Sequence, residues 1–300
     1  MISLRQMRSV VAVAEEGSFT RAAARENATQ SGISQHVAAV EDVLGVRLFE
    51  RTSDGVLLTP AGNRYYTKVL DVLRGAEDAI IDARSRKNTL SGTVCAGIMP
   101  VLARAALAPA LERMARQHPD VSIEIVEGYS GALTDSVKAE ELDFAVVPAF
   151  GGAMGLNVSH LARDREMLVG GALSGVVHGK PVRLSEIAPL KLVTPSRTNI
   201  RKARIEDYLT THSVQVERIM EMDAMLGTLD FVARSDWVTI LPGVICAPDM
   251  DGAIRRVAPI DEPPLFLDLV QIEPARQPMS TQSRVFLEEI KKEVGKLVAK

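Results

Sequence analysis

Cysteine is nearly absent from this chain: Cys95 and Cys246 are the only two among 300 residues. Their separation matches neither a zinc-ligand spacing nor a CxxC redox pair, so a thiol-held metal and a disulfide framework are both excluded. Each lies in an apolar, strand-like run (93–96 and 244–247), where a free thiol is expected to be a buried spectator. Long hydrophobic runs are missing too. No stretch of about eighteen consecutive apolar residues occurs, which excludes a membrane-spanning helix. The start, Met1 to Arg8, has no apolar core or cleavage-site pattern, which argues against secretion and for a cytoplasmic protein.

Positive charge is not in excess. The formal net charge is −3 and the pI about 6.0. Residues 1–60 carry Arg5, Arg8, Arg21, Arg25, Arg47 and Arg51 against Glu15, Glu16, Glu26, Glu41, Asp42, Glu50 and Asp54. A non-specific polyanion binder would be strongly basic, so any nucleic-acid contact must rest on where charges sit and on several domains acting together. Catalytic signatures are lacking as well. GxSxG, HExxH and clustered carboxylates do not occur, and His36, His118, His160, His178 and His212 are scattered. The expectation is a protein that is not an enzyme and needs no cofactor or metal. With 46% hydrophobic residues, the chain can build two or three domains with cores.

What is present is concentrated at the N-terminus. Ser18 is placed to cap a helix over residues 19 to about 26. Thr29 is placed to cap a second one that ends near Leu44, with Gly45 suited to the left-handed position after it. In that second helix Ile33, Val37, Val40 and Leu44 form one apolar stripe that should pack on preceding helices. The other side carries Ser31, Gln35, Ala38 and Ala39, with Ser34 on the flank and Gln30 at the start. Small and amide side chains suit close approach in a major groove, where Gln pairs with adenine and Ala meets the thymine methyl. An ordinary amphipathic helix would show the same two faces. The continuation separates the readings: residues 48–51 and 56–59 flank Thr52-Ser53-Asp54-Gly55, a hairpin signal, and Pro60 opens a further helix.

This run, a helix-turn-helix followed by a wing, resembles the DNA-binding domain of the LysR-type transcriptional regulators. Two positions depart from the pattern. Glu26 stands where the family places a core leucine, so the first helix ends early or Glu26 faces solvent. Asp54 stands at the wing tip, where a basic residue often approaches DNA, which leaves Arg51 as the wing candidate. The resemblance implies Gln30, Ser31, Ser34 and Gln35 as groove-facing residues, with Arg51 at a phosphate or the minor groove. The widely separated cysteines disfavour the peroxide-sensing branch of the family.

Pro60 to about Asn88 reads as one long helix, with Val69, Val72/Leu73, Ala76, Ile80 and Ala83 on one narrow stripe. A lone stripe of this kind usually packs against its own copy, and the resemblance implies a dimer contact there, extending to a tetramer. Packing on the chain's own C-terminal part is the alternative. Residues 87–92 read as a hinge.

After Gly92 strands alternate with helices. Strands are expected over 93–98, 121–127, 144–147, 166–170, 190–194, 216–220, 238–241 and 265–272. Helices are expected over 101–117, 133–140, 200–211, 224–233 and 280–299. That order implies an α/β fold with parallel sheets covered by helices. The resemblance implies a two-lobed, type II periplasmic-binding-protein-like effector domain. The divisions are then residues 1–60 (winged helix-turn-helix), 61–90 (linker helix) and 91–300 (effector domain). Lobe 1 is about 91–164 plus 265–300 and lobe 2 about 165–264, with crossings near Asp164 and Glu262-Pro263-Pro264.

Ligands of such domains sit at strand C-termini and helix N-termini. The candidates are Met99, Pro100, Tyr129, Ser130 and Pro148 on the first lobe, and Thr194, Ser196, Arg197, Thr198 and Asp223 on the second. The Ser196-Arg197-Thr198 loop joins hydroxyls and a guanidinium to a helix start, which points to a small organic anion; an ordinary helix cap is the plain alternative. The expected function is therefore sequence-specific regulation of double-stranded DNA under a small-molecule effector. A small-molecule-binding or catalytic α/β protein with an N-terminal assembly domain is the competing reading, but an assembly surface would not need the small, polar face of the second helix.

Overall fold

The computed structural model describes residues 2–52, 55–84, 90–151, 155–197, 199–275 and 279–298. They form two compact units. One holds residues 2–84 with Gly155, Leu156, Pro274 and Ala275, and the other holds the remaining described residues.

The first unit starts with α1 (Leu4–Glu16), which the sequence reading did not assign. Its signal is a capping box: the Ser3 hydroxyl receives the Gln6 N–H, and the Gln6 side chain receives the Ser3 N–H at 2.9 Å. Next come α2 (Phe19–Arg25) and α3 (Gln30–Leu44), capped by the Ser18 and Thr29 hydroxyls. Gly45 ends α3 at φ 68°, a conformation that costs glycine least. Helix α2 stops at Arg25 and the half-buried Glu26 takes its C-cap, so no apolar residue is needed there. The wing is a hairpin of β1 (Phe49–Thr52) and β2 (Gly55–Leu58), with Arg51 opposite Val56.

Helix α4 (Pro60–Arg84) follows; its expected last turn and residues 87–89 of the hinge lie outside the described residues. Val10, Val13, Ala22, Ile33, Val37, Val40 and Leu48 form one core cluster. Val69, Leu70 and Leu73 of α4 join Val11, Ala14 and Ala275 in another. Thus Val69 and Leu73 of the expected self-association stripe are spent inside the unit. Val72 is 48% exposed. The side chains of Ile80 and Ala83 lie outside the described set.

The second unit begins with β3 (Gly92–Ile98). The helix expected over 101–117 is divided in two, α5 (Pro100–Leu102) and α6 (Ala108–Gln117), by a π turn over Ala103–Leu107. Pro109 lacks an N–H, so an unbroken α ladder cannot run through this point. Then come β4 (Val121–Glu127), α7 (Ser130–Lys138), β5 (Phe144–Pro148), β6 (Leu156–Gly170) and α8 (Leu184–Ile187). They are followed by β7 (Leu190–Thr194), α9 (Ile200–Thr211), β8 (Val216–Glu221), α10 (Met225–Arg234) and β9 (Val238–Pro242). The chain closes with α11 (Gly243–Cys246), β10 (Arg256–Pro259), β11 (Phe266–Pro274) and α12 (Thr281–Val298). Cys246 therefore lies in a short buried helix rather than a strand, because Pro242 ends β9. Cys95 is only partly buried in β3.

The strand order is β4-β3-β5-β11-β6-β9-β7-β8, with β10 also on β6. Strand β3 pairs in parallel with β4 and β5, and β7 pairs in parallel with β8 and β9. These are the centres of two lobes. The long β6 and β11 run between them, and the Glu166 N–H donates to the Leu265 carbonyl at 2.9 Å where they cross. Phe144 and Phe286 fill the first lobe's core, and Leu168, Leu184, Leu192 and Ile240 fill the second's. Each such fully buried side chain contributes roughly 1.5–3 kcal/mol.

Candidate functional site

Two places carry exposed or orphaned polar chemistry. The first is α3. The Thr29 hydroxyl accepts from the Gly32 N–H at 3.1 Å, starting the helix with Gln30, Ser31 and Gln35 exposed and Ser34 half-buried. Opposite them Ile33, Val37 and Val40 are buried. The stripe stops there, since Leu44 is 38% exposed.

A residue the sequence reading missed turns inward instead. Glu41 is buried and accepts from the Leu48 N–H at 2.7 Å, the Phe49 N–H at 3.3 Å and Arg47 at 2.8 Å. It satisfies the backbone where the wing begins and so fixes β1 against α3. Its place four residues beyond Val37 was the available signal. The Ser9 hydroxyl pairs with His36 Nδ1 at 2.8 Å and ties α3 to α1. Arg51 lies in β1, but its side chain, like Asp54, falls outside the described set.

The second place is a cavity of about 700 Å³ between the two lobes of the second unit. Pro100, Ala103 and Arg104 line it from α5 and the π turn, Glu127, Gly128 and Tyr129 from the end of β4, and residues 223–227 from the loop into α10. A narrow recess adjoins it, sharing Tyr129, Asp223 and Met225 and adding Thr194, Asn199, Arg201 and Met222.

Of the sequence-predicted residues, Pro100, Tyr129, Asp223 and Thr194 are thus brought together. Ser196 joins them through its N–H, which donates to Asp223 Oδ1 at 3.0 Å. Met99 and Pro148 are buried and outside the lining, and Ser130 opens α7 half-buried. Arg197 is exposed and lines neither space, and Thr198 lies outside the described residues. Arg104, Glu127 and Arg201 were missed; Glu127 is the last residue of a strand that points into the cleft, which was its signal.

The charges around the cavity are mostly committed to one another. Arg201, buried at the start of α9, binds Glu166 at 2.8 Å and the Ile240 carbonyl at 3.0 Å. Arg104 donates to Asp249 and to the Ile245 carbonyl, both at 2.6 Å, and Asp249 also holds Arg255 at 3.1 Å. The Tyr129 hydroxyl donates to the Asp223 carbonyl and so bridges the lobes. Burial, followed by the carboxylates of Asp223 and Glu127, raises the Tyr129 pKa, with Arg201 opposing. At the lobe crossing the buried Asp164 accepts the Val244 N–H at 2.9 Å. Loss of water lifts its pKa to about 6, with Glu166 adding to the rise and Arg201 opposing it. Thr194 Oγ1 has no hydrogen-bond partner although its residue is 3% exposed.

Among the described residues, no group of three or more His, Cys, Asp and Glu side chains is placed to hold a metal ion. Residues 4–63 match the family profile "Bacterial regulatory helix-turn-helix protein, lysR family", and residues 87–295 match "LysR substrate binding domain". The chain belongs to the LysR family. It is a LysR-type transcriptional regulator with a helix-turn-helix DNA-binding domain and a substrate-binding domain, not an enzyme. It is 28% identical to the nitrogen assimilation regulatory protein nac of Klebsiella aerogenes over 96% of this chain and 93% of that protein. It is 27% identical to the regulator BenM of Acinetobacter baylyi over 80% of each. Among solved structures, full-length BenM superposes with a TM-score of 0.58 at 22% identity, covering 98% of this chain and 97% of that one. CbnR complexed with its target DNA gives 0.55 at 20% identity, covering 97% and 99%. These likenesses establish the shared fold. No helix among the described residues is long and apolar enough to cross a membrane.

Proposed function

We propose that this LysR-type regulator reads a specific double-stranded DNA site with the exposed face of α3 and responds to a small molecule bound between the lobes of its second unit. The observation that carries the DNA half is the exposed Gln30, Ser31 and Gln35, with Ser34 beside them, opposite a buried stripe. Amides and hydroxyls on a capped first turn suit base edges, and Arg51 on the wing suits a phosphate or the minor groove. The cavity supports the ligand half, because it draws walls from both lobes, so a ligand that fits one lobe arrangement shifts the balance between arrangements. An organic anion is the ligand that the Ser196-Arg197-Thr198 loop favours in sequence.

The protein works in the cytoplasm as at least a dimer, and as a tetramer if two dimers pair, reading two half-sites. A single winged domain with no net positive charge gains affinity by acting in pairs. The contact is α4, through the face that Val72 occupies. Val72→Asp should shift the full-length chain toward monomer in sedimentation velocity without lowering its helix content; an unchanged distribution removes α4 as the contact. For the DNA half, selection from random duplexes should enrich a site with two related half-sites about one helical turn, or a multiple of it, apart. Retention of duplexes without sequence preference would overturn the proposal.

A further inference from the structure

Resting on that reading of the cavity as the ligand site, we infer that the ligand presents a protonated amine to Glu127, Asp223 and the Tyr129 ring. The walls hold two carboxylates, Glu127 and Asp223, and neither has a cationic partner within ion-pair distance among the described residues. Among the described residues the one cation in the lining, Arg104, is held by Asp249 and the Ile245 carbonyl, and Arg201 in the recess is held by Glu166. The protein's own groups thus neutralise its cations and leave these two carboxylates without a counter-charge among the described residues. At the start of α9 the donors that would hold an anion are taken, the Ser196 N–H by Asp223 itself and the first turn by the Asn199 cap, and Pro100 has no N–H, whereas α7 and α10 begin without a side-chain cap. Arg197, the guanidinium that favoured an anion, is exposed away from both spaces.

An ammonium group brings three donors and a positive charge. Asp223 and Glu127 provide charge-assisted acceptors. The Tyr129 ring offers a π face to a cation. In the adjoining recess the orphaned Thr194 hydroxyl, on a residue 3% exposed, is an acceptor that a donor from the ligand would satisfy. The rest of the lining, Ala103, Ala224, Met225 and Leu226, suits an apolar body behind the amine. A carboxylate in the same position would face two like charges.

The test uses the full-length chain, isothermal calorimetry, and three probes that share a phenyl body: 2-phenylethylamine, 3-phenylpropionate and phenylalanine. The amine and phenylalanine should bind and phenylpropionate should not. Glu127→Gln and Asp223→Asn should each weaken the amine at least about tenfold, the scale of one charge-assisted hydrogen bond. The second unit's transition in denaturant unfolding should be unchanged, which shows that the variants fold. Ala224→Trp, which fills the cavity mouth, should abolish binding. Tight binding of phenylpropionate, strengthened by either neutral variant, would overturn the amine and leave the cavity as the ligand site. Binding of the amine that survives Ala224→Trp would overturn the cavity itself. No heat with any amine-bearing probe would also overturn the inference.

Discussion

Helices α3 and α9 begin alike and end up opposite. Each has a polar N-cap, Thr29 or Asn199, whose side chain accepts a first-turn N–H. In α3 the next residues, Gln30 and Ser31, stay exposed, and the Ser31 hydroxyl meets only the capping Thr29 hydroxyl, at 3.2 Å. In the first turn of α9, Arg201 and Lys202 are buried and paired, with Glu166 and Glu221. The local signal says where a helix starts; whether that start is open to a partner depends on charges brought from distant strands. Glu166 lies on β6 and Asp223 follows β8, and together they occupy the positions an external anion would need. An open N-terminus stays accessible to a partner, whereas a filled one fastens two strands together.

The contrast can be broken most forcefully at the filled end. Glu166→Ala should destabilise the second unit by about 3–5 kcal/mol, because Arg201 would remain buried without its counter-charge. Denaturant unfolding of the full chain should show the loss in that unit's transition. A loss below about 1 kcal/mol, the scale of an exposed pair, would mean the pair is solvated and α9 is as open as α3.

The next effect is pH-dependent and sits beside the same pair. Asp164 has a folded pKa of about 6, above its unfolded value near 3.8, so the protonated form favours folding. The stability it contributes is complete below about pH 4 and is lost as pH rises through about 6, a change of roughly 3 kcal/mol at most. Asp164→Asn keeps an acceptor for the Val244 N–H and should flatten stability over that range. An unchanged slope in the Asn variant would assign the titration to another group.

The smallest expected effect lies at Arg197. Because its side chain is exposed and outside both spaces, Arg197→Ala should change the affinity of a cavity ligand by less than about twofold, as surface substitutions do. A complete loss of binding by calorimetry would restore the anion reading of this loop.

These contrasts also mark what the residues alone disclosed. The spans of α9 and β7 and the cap and exposed polar face of α3 follow from local rules: a capping side chain, a 3.6-residue period, a glycine stop. Other features rest on partners far away in the chain. The first half of β6 carries Asn157, Ser159, His160, Arg163 and Asp164, too polar to read as a strand, and it is extended because β11 lies beside it. Glu41 looks solvent-facing in sequence and is buried because β1 brings two N–H groups to it. The cavity was legible as strand ends and loops, among them Pro100, Tyr129 and Asp223. Its sign was not, since Arg104 and Arg201 are neutralised by Asp249 and Glu166, residues 145 and 35 positions away. Leu73 fits an interface stripe by its spacing and is core for the same reason: α1 covers it.

The central claim is that α3 reads bases, and one titration tests it most directly. Fluorescence anisotropy of the full-length protein would be measured on its selected duplex and on an unrelated duplex at one salt concentration, for the wild type and Gln35→Ala. Gln35 is exposed on the polar face of α3 and outside the buried core, so the variant should lose about 1–3 kcal/mol on the selected site and almost nothing on the unrelated one. Equal affinity of wild type and variant for the selected duplex, or equal losses on both duplexes, would contradict base readout by α3.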